Sequence, residues 1–166
     1  MVGVSKNQGP KPPTTVTRVT NPAALRFAVG SFDTWADAQK AVEALKSGSK
    51  PLSQISYLGL YDILMGGQAE ALCDLPFPGN ATRIACSAGP IAERLSARLN
   101  VGAPSLQAAI AAWLIPRHAA QLQRTVEKGK IVAWVKLTDH DDERLAYRAL
   151  LAAGGDAVGV HDFVGS

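Results

Sequence analysis

Residues 25–45 read LRFAVGSFDTWADAQKAVEAL, and their spacing changes from strand-like to helix-like at one point. Apolar residues alternate with others over residues 25–32, which predicts a strand with one apolar face. Thr34 follows, with Asp37 three residues later, and this pair is typical of a helix N-terminus capped by a hydroxyl. Apolar residues then recur at helical spacing until Gly48, so the stretch predicts a strand followed by a helix.

Two β-α-β units can be recognised in this way. Residues 52–60 alternate again and complete the first unit. The second unit begins with an apolar strand over residues 130–137 and continues through an acidic turn and a helix to a last strand over residues 157–163. Two such units predict an α+β fold, specifically a ferredoxin-like sandwich.

The 166-residue length indicates one domain with a tail. We expect an extended N-terminal tail over residues 1–22 and a single ferredoxin-like domain over residues 23–166. Between the two halves, residues 61–128 predict a helical insertion, because helices can begin at Pro90, Pro104 and Pro116.

The net charge of +3 lies in the tail. Residues 1–24 hold three bases and no acid, whereas the rest of the chain holds fourteen bases and fourteen acids. Prolines exclude helix and central strand there, and an extended basic segment can dock on a partner's groove or sheet edge. The residues expected to make that contact are Lys11, Pro12, Pro13 and Arg18.

A helix predicted over residues 105–115 is apolar almost all round, so it requires cover from other elements or from another subunit. We therefore predict Leu106, Ile110 and Trp113 as interface residues. A four-stranded sheet with helices on one face also leaves a second face that a dimer could cover. The expected partner is another protein or a second copy, as in a homo-oligomer.

A weaker candidate site lies where the third and fourth predicted ferredoxin strands end. These strands would run in the same direction, so His140 and Asp141 would lie near His161 and Asp162. Histidine with carboxylates is a possible ligand set for a divalent metal. Helix capping explains the acidic turn equally well.

No stretch of the sequence carries a catalytic or cofactor signature. A Gly-x-Ser-x-Gly elbow and a phosphate-binding glycine loop are both absent, and Cys73 and Cys86 lack metal-ligand spacing. RNA binding is not favoured, because Lys130 and Val132 occupy positions where a stacking strand carries aromatic residues. We therefore expect no enzymatic activity, no cofactor and no nucleic-acid partner.

The sequence also gives an expectation of location. It has no apolar run long enough to span a bilayer and no apolar signal region within residues 1–20. We therefore expect a cytoplasmic protein without a membrane span.

Several stretches resemble the bacterial general stress protein family, which is heat-induced and has a glycine-zipper domain. They are VGSFDT at 29–34 with ISYL at 55–58, AGPIA at 88–92, and LIPRHA at 114–119 with VEKGKIVAWV at 126–135. The central segment departs from the membrane-compatible centre of the family, because it carries Glu93, Arg94 and Arg98. The resemblance implies a stress-associated, non-enzymatic protein without a cofactor.

These observations lead to two hypotheses of function. The first is a non-catalytic protein that acts by self-association or as an accessory subunit that docks through its tail. The alternative is a ferredoxin-like regulatory module that senses a small ligand or a metal, an analogy drawn from the fold.

Overall fold

The structure is a computed structural model, and it describes residues 25–48, 51–52 and 54–163. These residues form strands and helices in the following order: β1 (Leu25–Phe32), α1 (Trp35–Ser47), β2 (Ile55–Leu60), α2 (Tyr61–Gly66), β3 (Leu72–Asp74), β4 (Ile84–Ser87), α3 (Pro90–Asn100), α4 (Leu106–Ile110), α5 (Pro116–Glu127), β5 (Ile131–Leu137), α6 (His140–Ala152) and β6 (Asp156–Phe163).

The strands form one six-stranded sheet in the order β3-β4-β2-β5-β1-β6, and all neighbours are antiparallel. The protein is therefore a mixed α+β fold. The β1-α1-β2 and β5-α6-β6 units supply four adjacent strands, and β3 and β4 extend the sheet beyond β2. Because β3 and β4 belong to the segment between the two units, that insertion contributes two strands besides its helices.

Helices cover both faces of the sheet. Side chains from α1 and α6 pack with Ala28, Ala133 and Val135 on one face. Side chains from α3, α4 and α5 pack with Phe27 and Trp134 on the other. The expectation of an open second face is therefore wrong, because the insertion between the two β-α-β units folds back over it.

An aromatic cluster forms the centre of the face that α3, α4 and α5 cover. Phe27, Trp134 and Phe163 are each at most 1% exposed. Their rings meet edge-on, with centroids 5.4 Å apart for Phe27 and Phe163 and 5.5 Å apart for Trp134 and Phe163. The cluster joins β1, β5 and β6, so it anchors the edge strand β6 to the middle of the sheet.

Capping residues set the starts of the two sheet-connecting helices as predicted. The Thr34 hydroxyl accepts a hydrogen bond from the Asp37 backbone N–H at 3.2 Å. The Asp139 carboxylate accepts one from the Asp142 backbone N–H at 2.8 Å. Each bond satisfies a donor that the first helical turn would otherwise leave unpaired.

Some boundaries differ from the prediction. The helix predicted over residues 105–115 is shorter in the structure, where α-helix covers only Leu106–Ile110. The chain then forms a turn before α5 begins at Pro116. The strand predicted from Leu52 begins at Ile55. None of the helices in the described part of the chain is long and apolar enough to cross a membrane.

Candidate functional site: a groove between α5 and β6

A groove runs between helix α5 and the edge strand β6, and we call it the α5–β6 groove. Its cavity has a volume of about 290 Å³. The side chains and backbone that line it come from β1, the end of the α4–α5 turn, α5, β5 and β6: Ser31, Leu114, His118, Gln121, Leu122, Thr125, Val132, Ala157, Val158, Gly159 and His161. A volume of this size lies at the small end of the range for small-molecule sites.

The groove exists because small residues face α5 at this edge of the sheet. Ser31, Ala157 and Gly159 lie beside α5, and the strands that α5 packs against most are β2 and β5. A Cβ atom built on Gly159 would meet only the Nε2 atom of His161, at 3.8 Å. No side chain from β6 therefore fills the space beside the helix at this position.

Two histidines meet in the groove. The rings of His118 on α5 and His161 on β6 are 5.4 Å apart between centroids and are inclined at 72°. Both side chains are half-buried. Burial lowers the pKa of His161 below its usual value, and the charge of His118 lowers it further, whereas Asp162 acts in the opposite direction. The neutral imidazole of His161 is therefore favoured near neutral pH.

A second cavity of about 400 Å³ adjoins the groove and shares Ser31, Gln121, Thr125 and Ala157 with it. Cations line this second cavity: Arg124, Lys128 and Lys130, with Asp156 as the one acid. The ammonium of Lys130 is held by the carboxylates of Asp33 at 3.1 Å and Asp156 at 3.3 Å.

Arg124 and Lys128 differ from Lys130 in their pairing. Neither forms an ion pair or a side-chain hydrogen bond with any residue that the structure describes. Among the described residues, the second cavity therefore has two cations, near the C-terminal end of α5, that no side chain neutralises.

The structure does not bring the predicted metal candidates together as one cluster. His140 and Asp141 lie exposed at the start of α6, which packs on one face of the sheet, whereas His161 faces α5 on the other. The Asp162 carboxylate accepts two hydrogen bonds from Arg26, at 2.9 and 3.0 Å. Among the described residues, no group of three or more His, Cys, Asp or Glu side chains could hold a metal ion.

The predicted interface residues are covered by their own chain. Leu106 and Ile110 are 0% and 1% exposed, so they have no surface to offer to a second copy, and their assignment to an interface is corrected. Trp113 is half-buried and stacks on Phe163, with ring centroids 5.1 Å apart and planes 10° apart. The predicted docking residues of the tail lie outside the described residues: Lys11, Pro12, Pro13 and Arg18.

The cysteines are neighbours on adjacent strands and are both free thiols. Cys86 is fully buried, and burial raises the pKa of its thiol far above the usual value, with a smaller contribution from Cys73. A thiol held protonated in this way is a poor nucleophile.

The sequence patterns do not predict His118 as a residue of the site. Part of the site can be read from the sequence. Alternation in the last strand places His161 on the same face of the sheet as Phe163, and His118 lies in the first turn of α5. No local pattern in the sequence shows that the insertion covers this face of the sheet and so brings His118 to His161.

Comparison of the chain with family models, with curated proteins and with solved structures found no match. The resemblance to the general stress protein family therefore stays a prediction from sequence motifs.

Proposed function

We propose that the protein is a non-catalytic, ferredoxin-like module that binds a small organic ligand in the α5–β6 groove. The single observation that carries this proposal is the groove itself, in which two facing imidazoles lie beside a floor of small residues. Binding sites commonly combine such apolar concavity with a few convergent polar groups.

The order of four strands supports the ferredoxin-like part of the proposal. Strands β6-β1-β5-β2 are adjacent and antiparallel and come from two β-α-β units. In the numbering of a four-stranded fold this is the order 4-1-3-2, which two split β-α-β units produce. The insertion adds the two further strands and the second helical layer.

The hydroxyl groups in the groove support a binding role over a catalytic one. The Ser31 hydroxyl donates to the Asp156 carbonyl at 3.2 Å, and the Thr125 hydroxyl donates to the Gln121 carbonyl at 2.9 Å. A hydroxyl nucleophile would instead need to donate to a base such as an imidazole. In the described part of the chain, neither His118 nor His161 accepts such a bond.

Self-association, the first hypothesis from the sequence, loses two of its supports. Two of its three interface residues are buried within the chain, and the sheet face that a dimer could have covered is already covered by α3, α4 and α5. A docking role for the tail stays a prediction from its composition.

A fragment screen tests the proposed function. Small organic compounds would be added to the protein with ¹³C-labelled histidine, and the imidazole signals of His118, His140 and His161 would be followed by NMR. We expect binding compounds to shift the signals of His118 and His161 and to leave that of His140 unchanged, because His140 lies outside the groove.

A matched pair of variants locates the binding. Gly159→Leu adds a side chain beside His161 and should abolish these shifts. Ala152→Leu adds the same group at an exposed position of α6 and should preserve them. Compounds that bind Gly159→Leu as well as the original protein, or a screen in which no compound shifts either groove imidazole, would count against the proposal.

A further inference from the structure

We propose that the ligand of the α5–β6 groove is an organic anion with an apolar body, whose acidic group reaches into the adjoining second cavity and lies beside Arg124 and Lys128. This inference rests on the proposed function and specifies the class of ligand. It follows from the unequal chemistry of the groove and of the second cavity that adjoins it.

The end near His161 suits an apolar body. Leu114, Leu122 and Val132 line the groove, and the small part of each side chain that stays exposed is apolar. Burying such surface against a ligand is favourable in proportion to the area removed from water. An imidazole held neutral by burial adds a polarisable aromatic wall and no fixed charge.

The second cavity, near the C-terminal end of α5, suits an anion. Asp156, the one acid that lines it, is paired with Lys130, which also binds Asp33. The charges of Arg124 and Lys128 therefore remain without a counterion among the described residues. Cations near a helix C-terminus also stabilise the helix itself, because they offset its dipole. The test must therefore separate an effect on ligand binding from an effect on folding stability.

The distance between the ends indicates the length of the ligand. His118 and Thr125 lie seven residues apart on α5, which corresponds to about 10 Å at a rise of 1.5 Å per residue. Lys128 lies just beyond the last turn of the helix. An extended aliphatic chain of medium length with a terminal carboxylate spans a distance of this order, so octanoate is a suitable probe.

Three probes of equal chain length separate charge from apolar contact: octanoate, 1-octanol and octylamine. Their dissociation constants would be measured by titration of the His118 and His161 signals at low salt. We expect octanoate to bind at least about tenfold more tightly than 1-octanol and octylamine to bind most weakly, because charge attraction is strong when ionic screening is weak. Added salt should reduce the advantage of octanoate.

Charge-removing variants identify the cations. The double variant Arg124→Gln/Lys128→Gln should weaken octanoate about tenfold and leave 1-octanol unchanged, and the unchanged 1-octanol affinity shows that the groove is still folded. The matched control Arg144→Gln/Arg148→Gln removes two cations from α6, away from the groove, and should alter neither affinity.

The outcomes distinguish this inference from the function on which it rests. Equal binding of octanoate and 1-octanol, both abolished by Gly159→Leu, would overturn the anion assignment and leave groove binding supported. Tighter octanoate binding that is unaffected by the loss of Arg124 and Lys128 would overturn the placement of the acidic group. Failure of all three probes to bind would also overturn the inference of an anionic ligand. The proposed function itself is decided separately, by the fragment screen.

Discussion

Replacement of Gly67 by alanine should destabilise the protein through one steric contact. Gly67 follows α2, and a Cβ atom built on it would lie 2.5 Å from Cγ and 2.6 Å from Cε2 of Trp35. Real Cβ atoms essentially never approach other atoms so closely. The Trp35 ring would therefore have to move, and its contact with Tyr57, at 4.8 Å between centroids, would change with it.

The magnitude follows from separate contributions. Inserting a methyl group into a packed site costs about 1–3 kcal/mol in unfolding free energy. The backbone of Gly67 has φ −82° and ψ 0°, which alanine adopts without strain. Restricting the unfolded chain with alanine returns about 0.4–1 kcal/mol. We therefore expect a net loss of about 1–2 kcal/mol, and each kcal/mol lowers the Tm of a domain of this size by about 2–4 °C.

The assay is urea unfolding of Gly67→Ala beside Gly66→Ala, followed by circular dichroism. Gly66 is the neighbouring residue in α2, and a Cβ atom there would meet nothing within 4 Å. Alanine at position 66 should therefore leave stability unchanged or raise it by up to about 1 kcal/mol. Equal stability of the two variants would refute the reasoning, because it would show that Trp35 does not restrict position 67.

Two further predictions concern the core and the groove. Ile110→Ala should lower the free energy of unfolding by about 2–5 kcal/mol, because Ile110 is fully buried. The mass of the protein in solution, measured by light scattering, should stay unchanged. A lower mass for the variant would instead support the assignment of Ile110 to an interface between subunits. Because burial lowers the pKa of His161 in the folded state, the unfolded chain takes up a proton there at a higher pH than the folded chain does. The free energy of unfolding should therefore fall as the pH drops through about 6.5, the pKa of histidine in the unfolded chain. His161→Gln should make unfolding free energies at pH 5 to 8 less dependent on pH, whereas an unchanged slope would show that His161 does not cause the dependence.

The regular elements of the two β-α-β units were predictable from the sequence. Their strands alternate cleanly, and Thr34 and Asp139 cap the helices that connect them. Helix α2 and strand β3 were not predicted. The three residues of β3 are too few for a period to show, and α2 has no side-chain cap at Leu60. Tertiary packing determines such short elements.

The candidate site was predictable only in fragments. The direction of the strands predicts His140 and Asp162 as neighbours of His161, but it does not predict the sheet face on which each side chain lies. The carboxylate of Asp162 instead binds Arg26, which also binds the carboxylate of Glu143. A pairing of this kind joins positions more than a hundred residues apart, so no local spacing contains it.

The sequence by itself determined the α+β class, the two β-α-β units and the capped starts of two helices, because each depends on residues within one or two turns or along one strand. Only the tertiary structure decided that the insertion covers the second face of the sheet, that Leu106 and Ile110 are buried within the chain, and that His118 meets His161. These features depend on how distant elements pack to bury apolar surface. Many arrangements of the same local elements satisfy the sequence pattern, and the packing of the whole chain selects one of them.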